Sequence, residues 1–403
     1  MLKRIMLERI PLGPTVLKRI AAIAVLAVVL SGCSTVKGWF GKNKDDGKPT
    51  EPAELVDFTA TATVSKLWSA NAGKGEDRLG IQQGPAVADG RVYAAAVKGG
   101  VRAFDLQTGK TVWEYESKER LSGGPGAGDG LVVIGSLDGK VIALDAATGA
   151  EKWQAKVPNE VIAAPAIGQG LVLVRSNDGR VSAFDAATGE RRWFSNHDLP
   201  SLSVRGNAPV TLGPSVVFVG NDDGTLSAMG LNDGRPLWNQ VIGVPEGRTE
   251  LERMADVDGA PVVDGTTVYA TSFKKETVAI DGPSGRPMWS HDNGGPGGLG
   301  LSSGNVIVSD PAGSVWALDK ASGASFWSNT SLARRSLTAP TVHGDFAVVG
   351  DFDGYVHWLR LDNGQEAARE RVGGKPLRAK PVVADGILLV QNIEGEVTAF
   401  RLQ

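Results

Sequence analysis

Val181 to Trp193 reads V-S-A-F-D-A-A-T-G-E-R-R-W, and the phrase returns along most of the chain. Val141 to Trp153 reads V-I-A-L-D-A-A-T-G-A-E-K-W, and Val101–Trp113, Val315–Trp327 and Leu226–Trp238 are further copies. Each carries an apolar residue and Asp, then a Gly, then Trp four positions after the Gly. A chain of 403 residues would ordinarily suggest two or three domains. An internal repeat overrides that expectation, because repeat units bury one continuous core between neighbours.

Working outward from the phrase, Trp68, Trp113, Trp153, Trp193, Trp238, Trp289 and Trp327 share one phase, and an eighth slot falls at Ala368, where Trp is lost. Between them lie eight apolar runs of strand length, rich in Val, Ile and Leu, such as Leu171 to Arg175 and Ile387 to Gln391. Asp138-Gly139, Asp178-Gly179, Asp223-Gly224, Asp353-Gly354 and Glu394-Gly395 separate two such runs, as hairpin turns with positive φ at Gly do. The A-x-T-G stretch is a second hairpin loop, its Asp capping the turn backbone. Trp then opens the outermost strand, its ring wedged between units. One unit is therefore a four-stranded antiparallel meander of roughly 40 residues, a propeller blade.

The ends give the count. The chain enters with a lone Trp strand, Val64 to Ala70, and stops after three strands at Phe400-Arg401-Leu402. The two fragments complement each other, so the fold expected is all-β: an eight-bladed β-propeller over 58–403, closed by the N-terminal strand joining the C-terminal blade.

The first 33 residues have another character. Lys3, Arg4, Arg9, Lys18 and Arg19 precede the apolar run Ile20 to Leu30, which ends at Leu30-Ser31-Gly32-Cys33. This looks like a lipobox: a signal peptide over 1–33, cut before Cys33, which is lipidated and becomes the first mature residue. Ser34 rather than Asp follows it, which in bacterial lipoproteins implies sorting to the outer membrane, facing the periplasm. Residues 34–57 are polar and charged and read as a flexible tether. Cys33 is the one Cys, which excludes a disulfide framework or a multi-Cys metal site. Residues 1–33 carry a net +4 while the whole chain is at −3, so the rest stands at −7. A surplus of acid argues against nucleic acid as a partner.

The phrase A-[LF]-D-x-x-T-G-x-x-x-W resembles the repeat of pyrroloquinoline-quinone dehydrogenase-like propellers. Repeat, lipobox and length together resemble the BamB family, lipoprotein subunits of the bacterial β-barrel assembly machine (BAM complex). The resemblance runs from Phe58 to Gln403; the departures are Ala368 and a degenerate turn at Lys274-Lys275-Glu276. It implies a non-enzymatic scaffold that binds the POTRA domains of BamA, with no cofactor, and that offers its rim or sheet edges to unfolded outer-membrane proteins.

Loop lengths point to where such a partner would sit. Trp113 to Pro125 and Trp153 to Pro165 each span 12 positions, but Trp193 to Pro209 spans 16 and Trp238 to Pro261 spans 23. These longer loops follow consecutive blades, so they are neighbours on one face. Each mixes apolar and charged side chains. By resemblance the BamA contacts are Leu202, Val204, Arg205, Asp256 and Asp258, the apolar residues packing on a POTRA domain and the charges fixing register.

Rival motifs have plainer readings. Gly295 to Gly300 matches G-x-G-x-x-G, but a strand follows it, not a helix. Asp351-Phe352-Asp353-Gly354 opens like a calcium loop without its closing Glu. His197, His291, His343 and His357 fall on different blades without ligand spacing, so no metal is expected. The rival function is a quinoprotein dehydrogenase, or a propeller binding an envelope ligand in its central channel. The dehydrogenase reading lacks the vicinal Cys pair and long insertions common in those enzymes.

Overall fold

The computed structural model describes residues 51–75, 79–203, 208–274 and 276–403. Cys33, the expected signal peptide and residues 34–50 of the expected tether lie outside them, as do Val204, Arg205 and Lys275. From Pro52 to Gln403 the chain forms one unit of eight four-stranded antiparallel sheets. Seven sheets are consecutive meanders: β2–β5 within Ala86–Tyr115, β6–β9 within Leu121–Lys156, β10–β13 within Ala166–Asn196, β14–β17 within Thr211–Val241, β18–β21 within Val262–His291, β22–β25 within Leu299–Asn329 and β26–β29 within Thr341–Arg371. The eighth takes β30–β32, within Val382–Leu402, and is completed by β1, Val64–Asn71. The pairing of β1 with β32 runs from Val64 opposite Leu402 to Asn71 opposite Glu396. Ring closure is thus non-covalent, as the two chain ends required.

The burial of each strand follows its place in the blade. The second and third strands are packed between neighbouring blades, and β8 (Lys140–Asp145) and β12 (Arg180–Asp185) are buried along their centres. On β9, Glu151–Lys156, a fourth strand, Trp alone is buried. The apolar clusters accordingly straddle blade boundaries; Trp153 packs with Val172, Val174 and Phe184 of the next blade.

The Asp-Gly-Trp phrase works across that boundary. Asp185 accepts hydrogen bonds from the Ala187 and Thr188 amides and from the Thr188 hydroxyl, closing its own turn. Trp153 Nε1 instead donates to Ala186 O in the next blade at 2.9 Å, and its ring lies under Gly189, whose φ is +74°. A Cβ on Gly189 would come within 2.6 Å of the Trp153 ring. Gly is therefore required there twice over: by its positive φ and by the ring of the preceding blade. The same Trp-to-carbonyl bond recurs at Trp68, Trp113, Trp193, Trp238, Trp289 and Trp327.

Ala368 becomes intelligible in this frame. The blade after it is the one closed by the chain ends, so no turn stands there with a Gly to receive a Trp ring. Elsewhere the fourth-strand Trp faces an Ala on the neighbouring strand, as Trp153 faces Ala143 and Trp68 faces Ala399. In the seventh blade the pair is exchanged, with Trp358 facing Ala368. Trp358 is fully buried and meets Phe400 of the eighth blade edge-on at 5.6 Å. The volume is kept and its source moved one strand inward.

The first strands are innermost and lie side by side around the axis. Strand register identifies one equivalent residue just before, or early in, each of them, and all eight line a common axial cavity. It is Gly in blades one, two and six (Gly84, Gly124, Gly298) and Ala in blades three, five and seven (Ala164, Ala260, Ala339). Blade four has Pro209 and blade eight has Lys380.

The last residues of the expected tether are seated on the ring. Ala53 N donates to Ala333 O at 2.9 Å, Arg335 Nη1 to Ala53 O at 3.0 Å, and Thr61 N to Ala367 O at 2.9 Å on β29, Glu366–Arg371. Leu55 packs against the cluster around Trp327. This segment covers part of an outer strand edge that would otherwise present unpaired backbone groups.

Candidate functional site

The two long loops meet as their spacing implied. One leaves β13 (Arg191–Asn196) and the other leaves β17 (Pro236–Val241). Ser201 Oγ on the first donates to Glu250 Oε2 on the second at 2.5 Å. His197 bonds Asp223 at 2.8 Å, tying the first loop to the hairpin of the fourth blade, and the Asp223 hydrogen bond raises the His197 pKa. The tip of the second loop is a capped turn, in which Glu252 accepts the Arg248 and Thr249 amides. The turn leaves Leu251 68% exposed, and Val244 on the same loop is 48% exposed. On the first loop Leu199 and Leu202 are each 43% exposed. Large apolar side chains held in water by a hydrogen-bonded scaffold are what a partner-binding patch offers.

Of the expected contact residues, Leu202 is at this surface, while Val204 and Arg205 lie outside the described residues. Asp256 is not on the surface, and Asp258 is half-buried on the lining of the axial cavity. Met254, Ala255, Asp256 and Val257 are all buried, and Asp256 has no exposed area. The segment turns inward: Val257 N donates to Asn221 O and Phe273 N to Asp256 O, so it is stitched between the fourth and fifth blades. The carboxylates of Asp222, Asp256 and Asp258 come within 4.8 Å of one another. Arg175, at the end of β11 (Leu171–Arg175), binds Asp222 at 2.8 Å with both side chains almost wholly covered. Burial raises the Asp222 carboxyl against the pull of Arg175. Burial, then the charges of Asp256 and Asp222, push Asp258 up to about 8, and its Oδ1 is buried with no hydrogen-bond partner. Three carboxylate oxygens at this spacing could share a hard cation. Here a guanidinium already supplies the positive charge, and the cluster reads as a pin holding the roots of both loops.

A raised carboxyl pKa fixes the sign of its pH effect. The protonated form is favoured in the fold, so this contribution is complete below the ordinary carboxyl range and is lost as pH rises through about 8. Asp258→Asn, which mimics the protonated acid, is expected to match the parent in thermal melting near pH 4. At pH 8 it should be the more stable, with the gap opening as pH rises from 4 to 8; an unchanged pH dependence would contradict the assignment.

Arg175 and Asp222 were not singled out from the sequence, though a signal existed for the first. At the strand position equivalent to Arg175 the other blades carry Ala95, Gly135, Gly220, Thr271, Ser309, Gly350 and Gln391. A lone cation in a slot otherwise small or neutral marks a special blade.

Eight four-stranded blades joined by an Asp-Gly-Trp phrase, the last closed by the N-terminal strand, define a β-propeller of the quinoprotein repeat type. Residues 97–329 match the family described as "Outer membrane protein assembly factor BamB". The protein of that name from Xanthomonas campestris pv. campestris is 67% identical over 396 residues, 96% of this chain and 98% of its own. The crystal structure of BamB from Moraxella catarrhalis aligns with a TM-score of 0.77 at 29% identity, covering 84% of this chain and 100% of that one. The quinohemoprotein alcohol dehydrogenase of Comamonas testosteroni aligns at 0.66 with 16% identity, over 84% of this chain and 76% of that one, a likeness of fold alone. The chain belongs to the BamB family of outer membrane protein assembly factors.

Proposed function

We propose that the chain is a non-catalytic adaptor of the outer-membrane β-barrel assembly machine, anchored in the outer membrane through lipidated Cys33 after removal of residues 1–32, and facing the periplasm. Its face of paired long loops binds BamA through a POTRA domain. The observation that carries this reading is the patch of Leu199, Leu202, Val244 and Leu251 on two loops joined by the Ser201–Glu250 bond. In it Leu202 packs on the partner directly, with Val204 and Arg205 beside it in sequence. Asp256 and Asp258 act at one remove, holding the loop roots in register through the Arg175–Asp222 pin. Family membership supports the assembly role, and the single Cys, which leaves no vicinal pair, supports a non-catalytic one.

The rim supports a second contact with unfolded outer-membrane proteins. Leu237, Met288 and Phe326 precede the Trp of three consecutive outer strands and are 56%, 57% and 61% exposed. Outermost strands carrying apolar side chains suit the addition of an extended segment.

The loop assignment is tested by co-purification with BamA. Leu202→Asp combined with Leu251→Asp is expected to lower retention at least tenfold, since each truncated apolar anchor is worth about 1–2 kcal/mol, while the melting temperature stays at that of the parent. Full retention of BamA by the folded double variant would overturn it.

A further inference from the structure

The axial cavity holds a feature that the adaptor role does not use. Of the eight equivalent positions around it, seven carry Gly, Ala or Pro, and the eighth is Lys380. A small side chain at each of seven positions leaves a cavity of about 360 Å³, within the range that ligand sites occupy. Lys380 stands inside that space. Its side chain is exposed to the channel, whose lining it shares with residues of the other blades. Its Nζ donates to Leu299 O at 2.7 Å, reaching past the seventh blade to the sixth, and this is its one protein acceptor among the described residues. An ammonium has three protons to donate, so two remain for the cavity.

The surroundings do not neutralise it. Burial alone lowers the Lys380 pKa to about 8, with no carboxylate contributing. It therefore stays charged at neutral pH. Asp258 is the one carboxylate among the described lining residues, and its own raised pKa keeps it protonated there. The rest of the lining includes Ile81, Ile162 and Leu337, and a second cation, Arg378, so both cationic side chains and an apolar wall face the same space. A cation with free donors facing a partly apolar cavity, with no ionised carboxylate beside it, offers an entering anion charge-assisted hydrogen bonds.

We propose that the axial channel binds a small organic anion, a carboxylate or phosphate monoester, whose charged end rests on the Lys380 ammonium and whose apolar part lies against Ile81, Ile162 and Leu337. The site adjoins the loop roots at Asp258 but uses none of the exposed apolar residues of the loop face.

The test follows the lysine itself. The purified full chain is reductively methylated with ¹³C-formaldehyde, and the Lys380 resonance, assigned by its loss in Lys380→Met, is titrated separately with benzoate, phenyl phosphate and inorganic phosphate. Saturable movement with a Kd of about 1 mM or tighter is expected for benzoate or phenyl phosphate, along with a rise in the Lys380 pKa. Saturation by inorganic phosphate alone would refute the apolar half of the proposal. In calorimetry on unmethylated protein, Lys380→Met should bind at least about tenfold more weakly while Lys380→Arg binds within a few-fold of the parent. Removing a cation that faces the channel and makes one backbone hydrogen bond should not unfold the ring, so Lys380→Met is expected to melt no lower than the parent. No movement with any of the three anions, or equal affinity in Lys380→Met, would overturn the proposal. A Lys380→Met chain that melts well below the parent would instead make Lys380 a strut to Leu299.

Discussion

Replacing Trp153 with Ala is expected to cost the ring about 3–5 kcal/mol, read as a loss of stability in denaturant unfolding. Three losses coincide at that position. The ring is 8% exposed and fills the wedge between the second and third blades, packing on Val172, Val174 and Phe184. Its indole is the donor to Ala186 O, which would be left without that bond. The Gly189 turn, which lies on the ring, would face a cavity rather than a plane. Because the contact is made to the next blade, the loss loosens an interface between units and not a hairpin. A variant as stable as the parent would show that the blades cohere without the phrase. Ala368 carries the converse lesson: where the neighbouring blade has no turn to receive an indole, the bulk is supplied by Trp358 instead.

Asp351→Ala is expected to have an effect of similar size, about 3–5 kcal/mol, for an electrostatic reason. Asp351 has no exposed area, and it accepts from Arg335 Nε at 2.7 Å, from His357 Nε2 at 3.2 Å and from the Asp353 and Tyr355 amides at 2.9 Å. Arg335 also reaches Asp353 at 2.8 Å, and His357 Nδ1 reaches Glu366 at 2.7 Å, itself paired with Arg369. Burial would push the Asp351 carboxyl up, but the hydrogen bonds from His357 and Arg335 prevail and hold it below its ordinary value. Its stabilisation is therefore present at neutral pH and is lost as pH falls through that depressed value. Removing the carboxylate leaves the Arg335 guanidinium buried with only its outer partners. It also loosens the seat of the incoming chain, because Arg335 holds Ala53 O and Arg369 both holds Val56 O and stacks on Phe58. Unfolding should thus show lower stability, and limited proteolysis should cut earlier near residues 52–58. Unchanged values in both would refute the network's role.

The sequence-level reading of Asp351 was a hairpin turn, and it is one; nothing local disclosed that its carboxylate also neutralises an arginine 16 residues upstream. The loop residues show the same division. Leu202 is exposed as expected for a contact residue, and the neighbourhood of the two loops followed from their leaving consecutive blades. Asp256 and Asp258 are expected to face the partner, but Asp256 is covered and Asp258 is half-buried on the axial cavity. An insertion is visible as a departure from regular spacing, but which of its side chains turn inward depends on the surface it folds against. Arg175 and Lys380 stand between these cases. Each is a charged residue in a slot that other blades fill with small or neutral ones, a difference legible once strand register aligns the copies.

What the sequence determined by itself is the ring. Strand-length apolar runs, Gly at turns requiring positive φ and two complementary chain ends allow eight four-stranded blades and one way of closing them, because each of these signals is local or repeats at a fixed period. What only the tertiary structure decided is which partner each side chain meets. Trp and Gly lie four apart in every phrase, yet Trp153 rests under Gly189 of the next copy. The carboxylates of Asp256 and Asp258 gather with Asp222 because the fourth and fifth blades bring them together, and Lys380 faces a cavity because seven other blades present small side chains to the same axis. Burial, and with it the charge state of such groups, is a property of the assembled ring, since it depends on surfaces contributed by segments tens to hundreds of residues away.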